Sequence, residues 1–215
     1  MKYKAVIFDL DGTILDTLED LTDAVNYALR VNSYPEHSMD DVRRFVGNGI
    51  RLLIERAVPQ GLAVEEIDKV FADFKAYYQV HCSDKTKPYD DIPEVLLTLK
   101  EAGVKTAVVS NKADSAVQVL CEQYFHEQFD FAVGEREGIR KKPAPDSVDE
   151  ALRVLGVQTD DAVYVGDSDV DIETAHNAHM DSIIVDWGFR DRAFLKECGA
   201  KTIVSSPKAL LDEVK

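Results

Sequence analysis

Asp9 and Asp11 stand two residues apart in the run Asp9-Leu10-Asp11-Gly12-Thr13, directly after the apolar stretch Ala5-Val6-Ile7-Phe8. Side chains alternate along an extended chain, so both carboxylates can project to one side while Leu10 turns inward. Gly12 then permits a sharp exit, and the plain alternative is a solvated turn, which Asp and Gly also favour. A second group, Ser110-Asn111-Lys112, offers a hydroxyl and an amide suited to an anionic oxygen, or else an ordinary helix cap. A third, Gly166-Asp167-Ser168-Asp169-Val170-Asp171, crowds three carboxylates into five residues. Such charges repel unless a cation sits among them, and oxygen-only donors suit a hard divalent ion such as Mg²⁺. Their bland alternative is an acidic helix start favoured by the helix dipole. Lys142, in Lys141-Lys142-Pro143-Ala144-Pro145, adds positive charge on a stiffened loop.

These groups need elements to hold them. Short continuous apolar runs at 4–8, 104–109, 129–133, 162–165, 182–185 and 202–204 have the character of strands buried on both faces. Helical patterns at 113–124, 146–155, 170–178, 190–198 and 207–214 alternate with them, and Pro93 opens another that Gly103 closes. This rhythm predicts an α/β protein with a doubly wound parallel sheet. Ligands of such sheets bind beyond the carboxyl ends of the strands, where the polar groups above fall. Residues 18–82 break the rhythm with four helical patterns and no credible strand, which predicts an inserted all-helical cap domain. The expected division is 1–16 and 84–215 for the α/β core and 17–83 for the cap, with hinges near Asp16-Thr17 and from Ser83 to Tyr89.

The chain has 215 residues, 25 Lys plus Arg against 40 Asp plus Glu, and a formal net charge of −15. That balance argues against a nucleic-acid partner, since the densest basic run is only Arg140-Lys141-Lys142. The apolar run at the N-terminus is too short for a signal peptide or a membrane span. Cys82, Cys121 and Cys198 are odd in number and widely spaced, suggesting neither a zinc site nor a disulfide framework. The expected setting is the cytoplasm, with no membrane partner.

Taken in order, each at a strand end, the four groups resemble the motifs of the haloacid dehalogenase-like phosphohydrolase superfamily, and the resemblance covers essentially the whole chain. It implies a Rossmann-like core and a Mg²⁺ cofactor. Asp9 then corresponds to the nucleophile that takes the phosphoryl group as an aspartyl-phosphate, and Asp11 to the general acid/base. Ser110 and Lys142 correspond to the groups holding the phosphoryl oxygens. Asp167 corresponds to a metal carboxylate alongside Asp9 and the backbone carbonyl of Asp11, with Asp171 at the neighbouring acidic position of the metal site, as a water-mediated or outer partner of the cation. Thr13 and Asn111 are assigned to the substrate.

Arg43-Arg44-Phe45-Val46-Gly47-Asn48-Gly49-Ile50-Arg51 resembles the specificity loop of phosphoglycolate phosphatase-like members, which makes Gly47, Asn48, Gly49 and Arg51 candidates for substrate contact. An interhelical turn capped by Asn48 or Gly49 is the other possibility. Trp187-Gly188-Phe189-Arg190 also resembles a stretch common in that subgroup, with core packing as the default role for the Trp. Asp11 is absent from the metal-free dehalogenases, and Leu18 to Arg30 lacks the lysine of the phosphonate-cleaving members. The expected activity is hydrolysis of a small phosphorylated metabolite, 2-phosphoglycolate first, by a monomer or homodimer. A pyrophosphatase, a sugar-phosphate mutase and a non-catalytic phosphate-responsive binding protein are the alternatives.

Overall fold

The computed structural model describes residues 1–215 and divides them into two compact units, Met1–Leu15 with Pro88–Lys215, and Asp16–Lys87. The chain begins with strand β1 (Ala5–Phe8) and short β2 (Leu15–Asp16), then helices α1 (Leu18–Val31), α2 (Met39–Phe45), α3 (Ile50–Ala57) and α4 (Val64–His81). Short β3 (Lys87–Pro88) pairs with β2 where the chain passes between the units. There follow α5 (Ile92–Glu101), β4 (Lys105–Ala113), α6 (Asp114–Phe125), β5 (Phe131–Glu135) and α7 (Asp146–Leu155). The chain finishes with β6 (Ala162–Gly166), α8 (Asp169–Asn177), β7 (Asp181–Val185), α9 (Arg192–Glu197), β8 (Ile203–Val204) and α10 (Pro207–Val214).

Six strands form one sheet in the order β5-β4-β1-β6-β7-β8, every registered pair parallel. This is the doubly wound α/β architecture expected from the alternating apolar runs. All four residues of β1 are fully buried, as a central strand covered by helices on both faces requires. With β4 on one side of β1 and β6 on the other, the winding direction changes at β1, and that switch opens a crevice beyond its carboxyl end. Phe8 and Phe129 meet edge to face beside β1, and Phe129 meets Phe125 in the same way.

One strand departs from expectation. The apolar run of β4 ends at Val109, yet the strand continues to Ala113. Val109 pairs with Val133 and Ala113 with Glu135, so four steps on β4 match two on β5. The resulting bulge lets Ser110, Asn111 and Lys112 stay in extended chain while being re-aimed. A cap role for Ser110-Asn111-Lys112 is thereby replaced by a strand end.

In the helical unit, Ser38 caps α2 in a capping box with Asp41, as its position before the apolar repeat suggests. Phe74 and Tyr78 lie in its core. Buried Asp20 accepts hydrogen bonds from the backbone N–H groups of Lys85 and Thr86 and from the Thr86 hydroxyl, tying the first helix to the returning chain. Substituting Asp20→Ala strands the buried Thr86 N–H and hydroxyl and frees the partly exposed Lys85 N–H, and is expected to cost ~2–4 kcal/mol of stability, read as a lower urea midpoint. An unchanged midpoint would show that water replaces the carboxylate at no cost. No helix is long and apolar enough to cross a membrane.

Candidate active site

The ladder between β1 and β6 runs one residue past β1, because the Asp9 N–H donates to the Val165 carbonyl at 2.8 Å. Asp9 therefore emerges at the carboxyl edge of the sheet, at the winding switch. The next residues fold back at once, with the N–H groups of Ile14 and Leu15 donating to the Leu10 carbonyl at 3.1 and 3.0 Å. Gly12 makes that reversal at φ +81°, where a side chain would be strained.

Lys142 is the hub of the site. Its side chain is only 3% exposed, and its Nζ lies 2.8 Å from Asp9 Oδ1, 2.9 Å from Asp171 Oδ1 and 3.0 Å from the Tyr164 hydroxyl. Burial opposes the ammonium charge, but Asp171 and Asp9 outweigh it and hold the group well above the usual lysine range. Asp171 is fully buried and engaged at both oxygens. Its Oδ2 accepts from the N–H of Asp167, the N–H of Ser168 and the Ser168 hydroxyl, and its Oδ1 faces Lys142 and Tyr164. The same carboxylate closes the capping box of α8, so the helix dipole supports it too.

Asp167 is buried between two donors. The Phe189 N–H reaches its Oδ2 at 2.6 Å, and the Thr13 hydroxyl approaches its Oδ1 at 3.3 Å. Burial first, then Asp171 and Asp9, push its carboxyl well above the ordinary range, with the Phe189 N–H opposing them. Asp9 is pushed up to about 7 by burial, only partly relieved by Lys142 and further raised by Asp171 and Asp11. Carboxylate oxygens of Asp9, Asp167 and Asp171 lie within 4.8 Å of one another, and all three residues are buried. The one ammonium in contact with the cluster pairs with Asp9 and Asp171 and leaves Asp167 without a lysine, so the donor set is short of positive charge and consists of hard oxygen. That chemistry fits a divalent cation of the Mg²⁺ kind.

The β4 end supplies the rest. Ser110 is buried, with its Oγ accepting the Lys112 N–H at 3.2 Å. Asn111 places its amide on the Lys142 carbonyl at 3.0 Å, steadying the loop that carries the lysine. Thr13, likewise assigned to the substrate from the sequence, has its hydroxyl on Asp167. Two residues of the site were not singled out by sequence. Lys112, 3% exposed at its side chain, holds Asp11 Oδ1 at 2.8 Å, so each aspartate of the first motif has its own buried lysine. Tyr164 puts a hydroxyl in the middle of an apolar strand. The only signal in sequence is a polar atom where β-strand patterning asks for none.

In the helical unit, Gly47-Asn48-Gly49 joins α2 to α3 with Gly49 at the N-cap of α3. The Arg56 guanidinium donates to Asn48 Oδ1 at 2.9 Å and to the Phe45 carbonyl at 2.7 Å, which orders the turn. Arg51 pairs with Glu55 at 2.7 Å and with Asp68.

Residues 6–185 match the family described as haloacid dehalogenase-like hydrolase. The chain belongs to that family. It is 33% identical over 187 residues to the phosphoglycolate phosphatase of Aquifex aeolicus, covering 86% of each chain. The phosphoglycolate phosphatase of Mesorhizobium japonicum is 32% identical over 218 residues, covering 100% of this chain and 96% of the relative. The N-acetylmuramic acid 6-phosphate phosphatase of Pseudomonas aeruginosa is 31% identical, covering 99% and 95%. A crystal structure from Lactobacillus delbrueckii subsp. bulgaricus, provisionally assigned as a phosphoglycolate phosphatase, superposes with a TM-score of 0.96 at 43% identity, covering 100% and 99%. This haloacid dehalogenase-like chain is a phosphatase, a phosphoric monoester hydrolase.

Proposed function

We propose that the chain hydrolyses a small phosphomonoester through an aspartyl-phosphate on Asp9, with Mg²⁺ as cofactor. Support comes from one observation above all: Lys142 Nζ lies 2.8 Å from Asp9 Oδ1 inside a buried cluster of three carboxylates. A carboxylate attacks a phosphate only where mutual repulsion is cancelled. Bound among Asp9, Asp167 and the Asp11 carbonyl, the cation would supply charge neutralisation and phosphoryl orientation. The protein does the remainder. Asp9 forms a new O–P bond as the ester oxygen leaves, and Asp11 gives that oxygen a proton. In the second half-reaction Asp11 takes a proton from water, which attacks phosphorus and frees Asp9. Ser110 and Lys142 hold the equatorial oxygens, where transition-state charge gathers. Asp171, occupied at both oxygens, braces Lys142 and Asp167 rather than meeting the cation directly. In this reading residues 17–83 are the cap domain and residues 1–16 with 84–215 the catalytic core.

The substrate we assign is 2-phosphoglycolate, on the names of full-length relatives from several organisms. A phosphorylated amino sugar is the second reading, favoured by the relative named for N-acetylmuramic acid 6-phosphate. Phosphate release is expected from both 2-phosphoglycolate and an aryl phosphate, falling by at least ~10³-fold with chelator and returning with Mg²⁺. Chelator-insensitive turnover would sink the metal assignment. A higher specificity constant for N-acetylmuramic acid 6-phosphate than for 2-phosphoglycolate would replace the substrate.

A further inference from the structure

The turn after β7 supplies no ligand and no catalytic side chain, yet it is built against the metal carboxylate. Its Phe189 N–H takes Asp167 Oδ2 at 2.6 Å. The Trp187 indole N–H donates to the Thr13 carbonyl at 3.1 Å, fastening the same turn to the first motif. Between them sits Gly188, and a Cβ there would stand 2.3 Å from the Gly12 carbonyl oxygen, 2.4 Å from Asp167 Oδ2 and 2.5 Å from Asp167 Cβ. No real Cβ tolerates such distances, and two of the three atoms it meets belong to Asp167. The turn therefore lies in van der Waals contact with the carboxylate on one side and with the backbone next to Asp11 on the other. Phe189 closes the far side, buried, its ring edge 3.0 Å from where a Gly12 Cβ would be.

From this contact we infer that Trp187-Gly188-Phe189 is a positioning element for Asp167, with Gly188 as the residue on which its close approach depends. The inference rests on Asp167 holding the cation. A carboxylate binds a metal well only when its free lone pair is aimed, and a buried backbone donor on the other oxygen does the aiming. Packing alone would need neither the 2.6 Å hydrogen bond nor a glycine at that distance from an acidic oxygen. A backbone N–H also cannot rotate away as a side-chain donor can, so the carboxylate is pre-aimed before any cation arrives.

The test is calorimetric titration of chelator-stripped protein with Mg²⁺ alone. Gly188→Ala is expected to raise the Mg²⁺ dissociation constant ~10–100-fold, the usual loss when an outer-shell partner is disturbed. Its kcat should recover at saturating Mg²⁺, with KM for 2-phosphoglycolate within threefold of wild type, as a general packing defect would not allow. Should Gly188→Ala fail to fold, Trp187→Phe keeps an aromatic ring beside Tyr89 and removes the indole N–H that fastens the turn to Thr13, and a rise of ~3-fold or more is expected. Wild-type Mg²⁺ affinity in a folded Gly188→Ala protein, or in Trp187→Phe where that is the variant measured, would overturn the role of the turn alone. Undiminished affinity in Asp167→Asn would overturn the metal assignment, and this inference with it.

Discussion

Asp9→Asn is expected to lower kcat by at least ~10⁴-fold and to abolish acid-stable labelling of the protein by a radioactive phosphomonoester. The amide keeps the size of the side chain but has no nucleophilic oxygen, and Asp11, Ser110 and Lys142 have nothing to act on without one. The same variant should be the more stable protein in chelator. Asp9 is pushed up to about 7, chiefly by burial, so the fold holds its charged form at a cost. The folded value lies above the unfolded value of ~3.9, so its contribution is fully present below ~4 and is lost as pH rises through 7. Asparagine does not titrate, and Lys142 keeps Asp171 at 2.9 Å as its partner. The gain should therefore be near zero at pH 4 and reach ~1–3 kcal/mol at pH 8, measured by urea unfolding. Retained turnover would refute the nucleophile, and a destabilised variant at pH 8 would show that the Asp9–Lys142 pair outweighs the crowding.

Much of this architecture was legible because the strands of the central sheet carry short apolar runs, and in β1 and β6 the polar residues begin where the strand ends. Ala5–Phe8 and Ala162–Gly166 are of this kind, and the aspartates that follow them could be placed at one rim without coordinates. The ranges of α7 and α10, expected at 146–155 and 207–214, are the ones observed. What local pattern could not convey was pairing across the chain. Lys112 and Asp11 are 101 residues apart, and Ser110-Asn111-Lys112 is polar enough to pass for a loop or a cap. Only the bulge against β5 keeps it in the strand. The role of Phe189 was hidden for a different reason, since it acts through its backbone N–H and any residue but proline would carry that group. The glycine beside it is the visible trace of the close approach.

Lys142→Met carries the opposite sign to Asp9→Asn, and the pair of variants separates charge from packing. The methionine fills a similar volume but leaves Asp9, Asp167 and Asp171 with no ammonium among them. Removing one partner of a buried ion cluster leaves uncompensated charge, a loss of ~3–5 kcal/mol in the metal-free protein. Activity should fall ~10²–10³-fold even with Mg²⁺, because a donor to the transferring oxygens is gone. The stability deficit should depend on pH. Lys142 is the group that lowers Asp9 toward 7, so without it Asp9 rises further and goes on losing stability above pH 7, where the wild-type protein has finished. At one group and ~1.4 kcal/mol per pH unit, the deficit should be ~1–2 kcal/mol larger at pH 8 than at pH 5. Added Mg²⁺ should narrow it at pH 8, since a cation bound by the same carboxylates stands in for the missing charge. Urea unfolding at the two pH values, with chelator and with Mg²⁺, reads all of this. Equal deficits in all four conditions would mean that Lys142 stabilises the site by filling space, and that the electrostatic account of Asp9 as a nucleophile kept in check by its lysine is wrong.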